Sequence, residues 1–257
     1  MPNTLIREQL TINLPGEPTS LDAYTVRPSG NTPCPTVIVA MELFGLNDHV
    51  RDISDRLAAQ GYAVIAPNFY HRTLPAASLP FGEEGRQEGF VHLRKLTREQ
   101  VLADVAAVLR VIESRPDASG RVGVLGFSMG GHIAYLTATQ FPVAACACFY
   151  GGWITNTDIP MSQPEPTVTL TPGMARHDAK VVYFYGGRDH AVSAEQVKTL
   201  ADALEKADVR HEIVCYPEAQ HGFFCELRDT FDQQARDDAW GRVLALFESE
   251  LHGETRG

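Results

Sequence analysis

One serine in this sequence has the setting of a catalytic nucleophile. Ser128 lies within a G-x-S-x-G motif (GFSMG, residues 126–130) that follows the apolar run 122–125 and precedes a helical pattern. A sharp turn between a strand and a helix lifts such a serine above its sheet, and the glycines let the two elements approach closely. The motif alone is common in glycine-rich loops. The strand before it and the helix after it favour a nucleophile for acyl transfer.

A serine hydroxyl becomes a good nucleophile only when a base takes its proton, and nine histidines compete for this role. His221 lies in a loop (PEAQHGFF) after the predicted strand 211–216, at the carboxyl edge where parallel sheets form their sites. His211 lies at the opposite edge, and His132 is one turn down the helix from Ser128. The three histidines before residue 100 precede the nucleophile, contrary to the usual chain order. We therefore predict that His221 is the base; the alternative is a surface loop histidine.

The base needs an acid that orients its ring and stabilises its cation. Asp189 follows the predicted strand 180–185 across Gly-Gly-Arg and so lies at the same carboxyl edge, whereas Asp178 precedes that strand. Order and edge together favour Asp189 as the third member of a triad with Ser128 and His221. The alternative is a turn aspartate that caps its own loop.

The elements that must position these side chains alternate regularly along the chain. Residues 8–14 and 21–26 alternate like strands around a Pro-Gly turn and predict an antiparallel edge hairpin. Beyond them strands and helices alternate, which predicts one α/β domain over residues 1–257, with a mostly parallel sheet covered by helices on both faces. The predicted strands are 36–41, 62–66, 122–125, 143–149, 180–185 and 211–216, and the predicted helices are 48–60, one or two within 83–114, 129–140, 193–206 and 229–251.

Residues 155–179 interrupt this alternation and contain four prolines. A loop of that length is often functional or mobile, so the segment is either a lid over the site or an irregular surface excursion.

Composition excludes several classes of partner. The formal charge of −10 argues against nucleic acid or an anionic membrane as a partner. We see no secretion signal and no run of about 20 apolar residues. The five cysteines are an odd number and form no C-x-x-C pair, so we expect neither a disulfide framework nor a zinc site, and a cytoplasmic location. A monomer or a small homo-oligomer is expected.

Six segments of the chain form a set of motifs in a characteristic order: 41–47 (MELFGLN), 61–70 (GYA…APNFY), 126–131 (GFSMGG), 149–151 (FYG), 187–190 (GRDH) and 219–223 (AQHGF). In the same order they resemble Q-E-x-F-G-x-N, G-Y-x…P-D-L-Y, G-[FY]-C-x-G-G, Y-Y-G, G-x-x-D and A-x-H-x-F, which are motifs of the dienelactone hydrolase (carboxymethylenebutenolidase-like) family of α/β-hydrolases. The resemblance runs over most of the chain, although each piece alone would be weak.

The resemblance implies an oxyanion hole made by the backbone N–H groups of Leu43 and Met129, which agrees with the general geometry of such sites. It also implies that Glu42 points into the site. The family's founding enzymes use cysteine where this chain has Ser128, and there the glutamate helps the thiol to lose its proton. A hydroxyl is far less acidic, so Glu42 here either orients Ser128 or a substrate, or is a hydrogen-bonded structural carboxylate.

Two further departures concern the substrate. Cys225 stands four residues after His221, where the family carries a substrate-binding arginine, and Met41 replaces a glutamine. A small anionic lactone would lose a bidentate partner at Cys225, which argues against dienelactone itself as the substrate.

Three other residues are candidates for substrate binding. Arg86 lies in a segment that resembles the family's other arginine region and could supply the missing charge; the alternative is a solvated arginine on a helix face. Trp153 and Tyr150, near the end of a predicted strand, could line the acyl pocket or simply pack.

The sequence thus predicts a hydrolase that cleaves a small carboxylic ester or lactone through an acyl-enzyme, without a metal or organic cofactor. The alternatives are a thioesterase or peptidase with the same triad, an acyl transferase in which an alcohol or amine outcompetes water, and a non-catalytic hydrolase-like scaffold. The filled triad positions argue against the last of these.

Overall fold

A computed structural model describes residues 4–30 and 32–252 of the chain. These described residues form one central sheet of eight strands in the order β1-β2-β4-β3-β5-β6-β7-β8. The strands are β1 (Leu5–Ile12), β2 (Leu21–Pro28), β3 (Cys34–Ala40), β4 (Ala63–Pro67), β5 (Ala118–Phe127), β6 (Ala145–Phe149), β7 (Lys180–Gly186) and β8 (Arg210–Tyr216).

The strand directions match the sequence expectation. β1 and β2 form an antiparallel pair at one edge, and β2 pairs antiparallel with β4. From β4 to β8 every pairing is parallel. Every residue of β4 and β6 is buried, as expected for strands covered on both faces.

Within residues 4–30 and 32–252, seven helices connect and cover the strands, and several begin at residues that supply a cap. They are α1 (Asp48–Ala59), α2 (Glu83–Leu93), α3 (Arg98–Ser114), α4 (Met129–Gln140), α5 (Pro172–Arg176), α6 (Ala194–Lys206) and α7 (Gln233–Leu251). The side chains of Asn47, Thr97 and Ser193 accept hydrogen bonds from the first turns of α1, α3 and α6, which satisfies N–H groups that would otherwise lack partners. In the part of the chain that the structure describes, no helix has the length and apolar character needed to cross a membrane.

The boundaries differ from the sequence expectation by four residues at two places and by three or fewer elsewhere. β5 begins at Ala118 rather than residue 122, because its first residues pair with β3 although their sequence is polar and glycine-containing. The last helix begins at Gln233 rather than residue 229, where the Asp232 side chain accepts a hydrogen bond from the N–H of Ala235.

Residues 155–179 contain short helical turns rather than one irregular loop. Two 3₁₀ turns (Pro160–Ser162 and Thr167–Leu170) precede α5. The nearly buried Arg98 of α3 donates hydrogen bonds to the carbonyl oxygens of Met161 and Glu165, at 3.2 and 2.5 Å. These bonds satisfy backbone groups that a loose loop would leave to water, so the segment is tied to the helix beneath it.

Candidate active site

Ser128 occupies a strained turn between β5 and α4. Its φ is 55° and its ψ is −114°, a left-handed conformation that a residue with a side chain rarely adopts. Its N–H donates to the carbonyl oxygen of Phe149 at 2.9 Å, which ties the turn to the end of β6. The strain places the hydroxyl beyond the end of the strand, as a nucleophile requires.

The glycines on either side of Ser128 are required by close backbone approach. A Cβ at Gly126 would lie 1.9 Å from the carbonyl oxygen of Gly130, and a Cβ at Gly130 would lie 2.2 Å from that of Ala40. Real Cβ atoms do not come so close to backbone, so no side chain fits at either position. The G-x-S-x-G pattern therefore reflects the packing of α4 against β3 and β5.

The structure brings Ser128, His221 and Asp189 together from three separate loops. His221 Nε2 lies 2.9 Å from Ser128 Oγ, and His221 Nδ1 lies 2.9 Å from Asp189 Oδ2. An imidazole with its proton on Nδ1 satisfies both contacts, donating to the carboxylate and accepting from the hydroxyl. The arrangement can pass a proton from the serine to the ring while the carboxylate stabilises the resulting cation.

Asp189 also caps its own loop, so the two interpretations of this residue are compatible. Its Oδ1 accepts from the N–H groups of Ala191 and Val192, at 2.7 and 3.1 Å. Its side chain is fully buried although the residue lies in a surface loop. One oxygen therefore fixes the carboxylate while the other faces the imidazole.

Of the two residues predicted to form an oxyanion hole, Met129 follows Ser128 directly and Leu43 lines the same cavity as Ser128. Met129 is the first residue of α4, so its N–H has no partner within the helix. Leu43 follows β3 in a short turn in which the N–H of Gly45 donates to the carbonyl oxygen of Glu42. Within the described residues, neither the Leu43 nor the Met129 N–H donates to another protein group, so both are available to a ligand.

Glu42 is almost completely buried beside this turn. Asn47 Nδ2 lies 3.4 Å from its Oε1, and Arg228 Nη1 lies 3.9 Å from its Oε2. Burial raises the pKa of this carboxyl, while Arg228 and the bond from Asn47 oppose the rise. Both contacts are long, so these two partners hold the Glu42 carboxylate only weakly.

A cavity of about 300 Å³ opens above the serine. Its wall includes Ser128 and His221 together with the predicted residues Glu42, Leu43, Arg86 and Trp153. Helix α2 covers it through Arg86 and Phe90, and no residue of the segment 155–179 lines it. A wider cleft of about 600 Å³ opens at the amino ends of the parallel strands, and none of the predicted site residues is among the described residues that line it.

The cavity wall also carries an arginine that the sequence analysis did not identify. Arg228 lies in the loop after His221, is largely buried, and lines the cavity, with its guanidinium carbon 5.8 Å from the centre of the Phe44 ring. The predicted Arg86 also lines the cavity but is half exposed, and it stacks on Phe90. The loop 217–232 has no periodic pattern that would point to Arg228, and the family motif points instead to Cys225, which is buried and outside the cavity wall.

Of the two aromatic residues predicted to line the acyl pocket, Trp153 lines the cavity and Tyr150 does not. Trp153 lines the cavity and meets the Phe90 ring edge-on, with centroids 6.3 Å apart. Tyr150 is fully buried and does not line the cavity; its ring packs 4.8 Å from the ring of His221. Burial raises its pKa well above the usual value for a phenol.

A family model and several known proteins match most of the chain. Residues 21–251 match the model of the "Dienelactone hydrolase family". A Synechocystis sp. protein named "Putative carboxymethylenebutenolidase" is 33% identical over 244 residues, which cover 93% of this chain and 96% of that protein. The "Carboxymethylenebutenolidase" of Pseudomonas putida is 28% identical over 209 residues, covering 79% of this chain and 83% of that protein.

A solved structure agrees with the sequence comparison. The crystal structure titled "Putative Dienelactone Hydrolase from Klebsiella pneumoniae" superposes with a TM-score of 0.84 at 32% identity, over 96% of this chain and all of that one. The α/β-hydrolase fold and the family resemblance inferred from the sequence are thereby confirmed.

Proposed function

Because this chain belongs to the dienelactone hydrolase family, we propose that it hydrolyses a small carboxylic ester or lactone, with Ser128, His221 and Asp189 as its catalytic triad. Family membership makes it a hydrolase that acts on a small molecule. The observation that carries the finer proposal is the pair of 2.9 Å contacts that join hydroxyl, imidazole and carboxylate. The same three groups in this order support nucleophilic acyl transfer in unrelated enzymes.

In the first half of the reaction, Ser128 Oγ attacks the carbonyl carbon and its proton moves to His221 Nε2. The carbonyl oxygen becomes an oxyanion that accepts hydrogen bonds from the N–H groups of Leu43 and Met129. Collapse of this intermediate breaks the bond to the leaving oxygen, which takes the proton from His221 Nε2. In a lactone, the released hydroxyl stays attached to the acyl group.

In the second half, a water molecule gives a proton to His221 Nε2 and attacks the acyl carbon. The new oxyanion uses the same two N–H groups. Its collapse releases the carboxylic acid, and Ser128 Oγ recovers its proton from the imidazole. Asp189 remains ionised and stabilises the imidazolium in each half.

The cavity favours a small substrate that carries a carboxylate. Its volume of about 300 Å³ lies at the lower end for ligand sites. Arg228 and Arg86 contribute positive charge to its wall, and a largely buried guanidinium binds a carboxylate strongly. The aromatic residues Phe44, Phe90 and Trp153 would contact the rest of the substrate.

The substitution Ser128→Ala tests the nucleophile. We expect p-nitrophenyl acetate turnover to fall by at least about a thousandfold, with unchanged circular dichroism. A fluorophosphonate probe should label the wild type at Ser128 and leave the variant unlabelled. Turnover near the wild-type level in a folded Ser128→Ala protein would reject the proposed nucleophile.

Arg228→Gln tests the preference for an anionic substrate. Two aryl esters are compared, p-nitrophenyl acetate and a p-nitrophenyl half-ester with a free carboxylate. A hydrogen bond to a charged group is worth roughly 1.5–3 kcal/mol, so kcat/KM for the half-ester should fall about ten- to a hundredfold. The value for the neutral ester should change little.

The matched control is Arg188→Gln, which removes an exposed arginine next to Asp189 that pairs with Glu218. We expect it to leave the ratio between the two esters unchanged. Equal losses for both esters in Arg228→Gln would contradict anion recognition by this side chain.

A further inference from the structure

Three side chains of types that can ligate a metal meet beside the cavity, and one of them, Glu42, is part of its wall. One ligand atom each from Glu42, His49 and Cys225 lies within 4.8 Å of the other two. All three residues are buried, with exposed fractions of 1%, 5% and 0%. They come from the turn after β3, the first turn of α1 and the loop after β8. Their spacing in the sequence therefore does not match a known metal-binding motif.

One of these side chains, His49, has a buried nitrogen without a hydrogen-bond partner among the described residues. His49 Nε2 is enclosed and has no hydrogen-bond partner among the described residues. Buried polar atoms almost always have a partner, so this nitrogen calls for one that the protein chain does not supply. The Glu42 carboxylate, held only by long contacts to Asn47 and Arg228, is similarly free to accept another.

The protonation states suit a cation. Burial lowers the pKa of His49 to about 4, so its ring is neutral at pH 7 and offers a lone pair. Burial raises the pKa of Cys225 to about 12, so its side chain is a thiol at pH 7. A divalent ion would stabilise the thiolate and the carboxylate and so reverse the effect of burial on both groups.

The donor atoms select the class of ion. One sulfur, one imidazole nitrogen and one carboxylate oxygen suit zinc, whereas magnesium and calcium prefer oxygen alone. Zinc binds sulfur at about 2.3 Å and nitrogen or oxygen at about 2.0–2.2 Å, so the three atoms would need to move together by about 1 Å. That shift lies within the range of side-chain rotation.

A second cavity reaches one of the three side chains from solvent, and acidic residues in its wall would attract a cation. This cavity of about 220 Å³ reaches His49, and Asp48, Asp52 and Glu226 lie in its wall. Arg56 pairs with two of these carboxylates, which leaves Asp48 to attract a cation. On the other side an ion would compete with Arg228 for Glu42, so its affinity depends on the sulfur and nitrogen ligands.

We propose that Glu42, His49 and Cys225 bind one Zn²⁺ ion, with water at the fourth position. The Zn–S bond forms as the Cys225 S–H proton leaves to solvent, and the imidazole and the carboxylate each contribute a lone pair. No redox change is involved. Glu42 also lines the cavity above Ser128, so the ion would lie next to the triad, but the ester hydrolysis proposed above uses no metal.

The test uses the full-length protein, first freed of metal with a chelator and then titrated with ZnCl₂ in a calorimeter and with CoCl₂ in a spectrophotometer. We expect one equivalent of each ion and a near-ultraviolet band from thiolate-to-cobalt charge transfer. Cys225→Ser should abolish the band, and Cys225→Ser and His49→Gln should each weaken zinc binding at least about tenfold, because even the loss of an outer partner commonly costs that much.

Cys215→Ser is the matched control, since Cys215 is exposed on β8 and outside the cluster. It should bind zinc and cobalt as the wild type does. Absence of stoichiometric zinc binding, or equal affinity in the Cys225→Ser and His49→Gln proteins, would overturn the proposal.

A further measurement does not depend on how the Cys225 and His49 variants fold. Zinc-edge X-ray absorption on the Cys215→Ser protein loaded with one equivalent should show one sulfur ligand together with nitrogen or oxygen ligands. A spectrum without sulfur would overturn the site as described.

Discussion

At the scale of single residues, Asp189 shows how one carboxylate can hold its own loop and also face an imidazole. Its Oδ1 holds the loop through two backbone N–H groups, and its Oδ2 faces His221. An asparagine in its place can still accept the loop's hydrogen bonds through its amide oxygen. Its NH₂ group, however, would face Nδ1 and favour the wrong imidazole tautomer.

Asp189→Asn is therefore expected to fold normally and to lose about 10⁴-fold in kcat, the loss known for the equivalent change in a serine protease. The measurements are p-nitrophenyl acetate turnover and the thermal unfolding midpoint. Asp178→Asn, at the opposite edge of the sheet, is the control and should leave kcat unchanged. A kcat for Asp189→Asn within tenfold of the wild type would contradict the proposed role.

The sequence placed Ser128, Asp189 and His221 because chain order and strand edge restrict each of them to a few positions. Arg228 and the cluster around His49 could not be found in this way. Their side chains reach their neighbours across loops whose path depends on tertiary packing, and neither spacing nor periodicity encodes that path. Tyr150 shows the same limit, since its position near a strand end did not reveal which way its ring points.

At the scale of elements, helix α2 is pressed against the turn that carries Leu43. A Cβ at Gly89 would lie 2.6 Å from the Leu43 carbonyl oxygen and 2.8 Å from Leu43 Cγ. The Tyr70 hydroxyl connects the same region, because it lies 3.4 Å from the Gly89 carbonyl oxygen and 3.1 Å from Met129 Sδ. The helix that covers the cavity therefore also fixes the backbone proposed to bind the oxyanion.

Gly89→Ala should displace this turn. Overpacking of this kind typically costs about 1–3 kcal/mol of unfolding free energy, and a shift approaching 1 Å at a reacting group can cost about a hundredfold in rate. We expect a lower unfolding midpoint and a ten- to hundredfold lower kcat, measured by thermal unfolding and p-nitrophenyl acetate turnover.

The control for this prediction is Gly241→Ala in α7, where a new Cβ meets no atom within 4 Å. An alanine at an exposed helix position should stabilise the protein by up to about 1 kcal/mol and leave kcat unchanged. If both variants kept wild-type kcat, α2 would not position the Leu43 turn.

Element types were predictable where hydrophobic pattern and caps agree. The strand 36–41 and the helix 48–60 correspond to β3 and α1, since apolar runs and the Asn47 cap are local signals. The segment 155–179 was not predictable, because its helical turns depend on hydrogen bonds from the distant Arg98. Local propensity cannot report a partner that lies more than 60 residues away.

At the scale of the whole molecule, two buried histidines are expected to make the protein less stable in acid. Burial lowers the pKa of His49 to about 4 and that of His132 to about 3. The ordinary histidine pKa in the unfolded chain is about 6.5. Between these values the unfolded chain binds more protons than the folded one, so stability falls as the pH drops below about 6.5.

We expect the free energy of unfolding, measured with urea, to decrease by roughly 3 kcal/mol or more between pH 7 and pH 4, since the shift at His49 alone corresponds to that amount. A chelator keeps metal from contributing. Glu42 has the opposite effect on the pH dependence of stability. Its pKa is raised in the folded protein, so its contribution to the free energy of unfolding is lost as the pH rises. In His49→Gln the decrease should be smaller; an equal decrease in both proteins would contradict the assignment.

The two edge strands of the sheet, β1 and β8, also affect whether the protein aggregates in a concentrated solution. Each presents unpaired backbone groups on which a foreign strand could grow an aggregate. Arg7 on β1 pairs with Asp55, while Arg210 and Glu212 on β8 pair with Glu250 and Arg242. A strand arriving at either border would have to strip water from these ions, which discourages fibrous growth without any change to the interior.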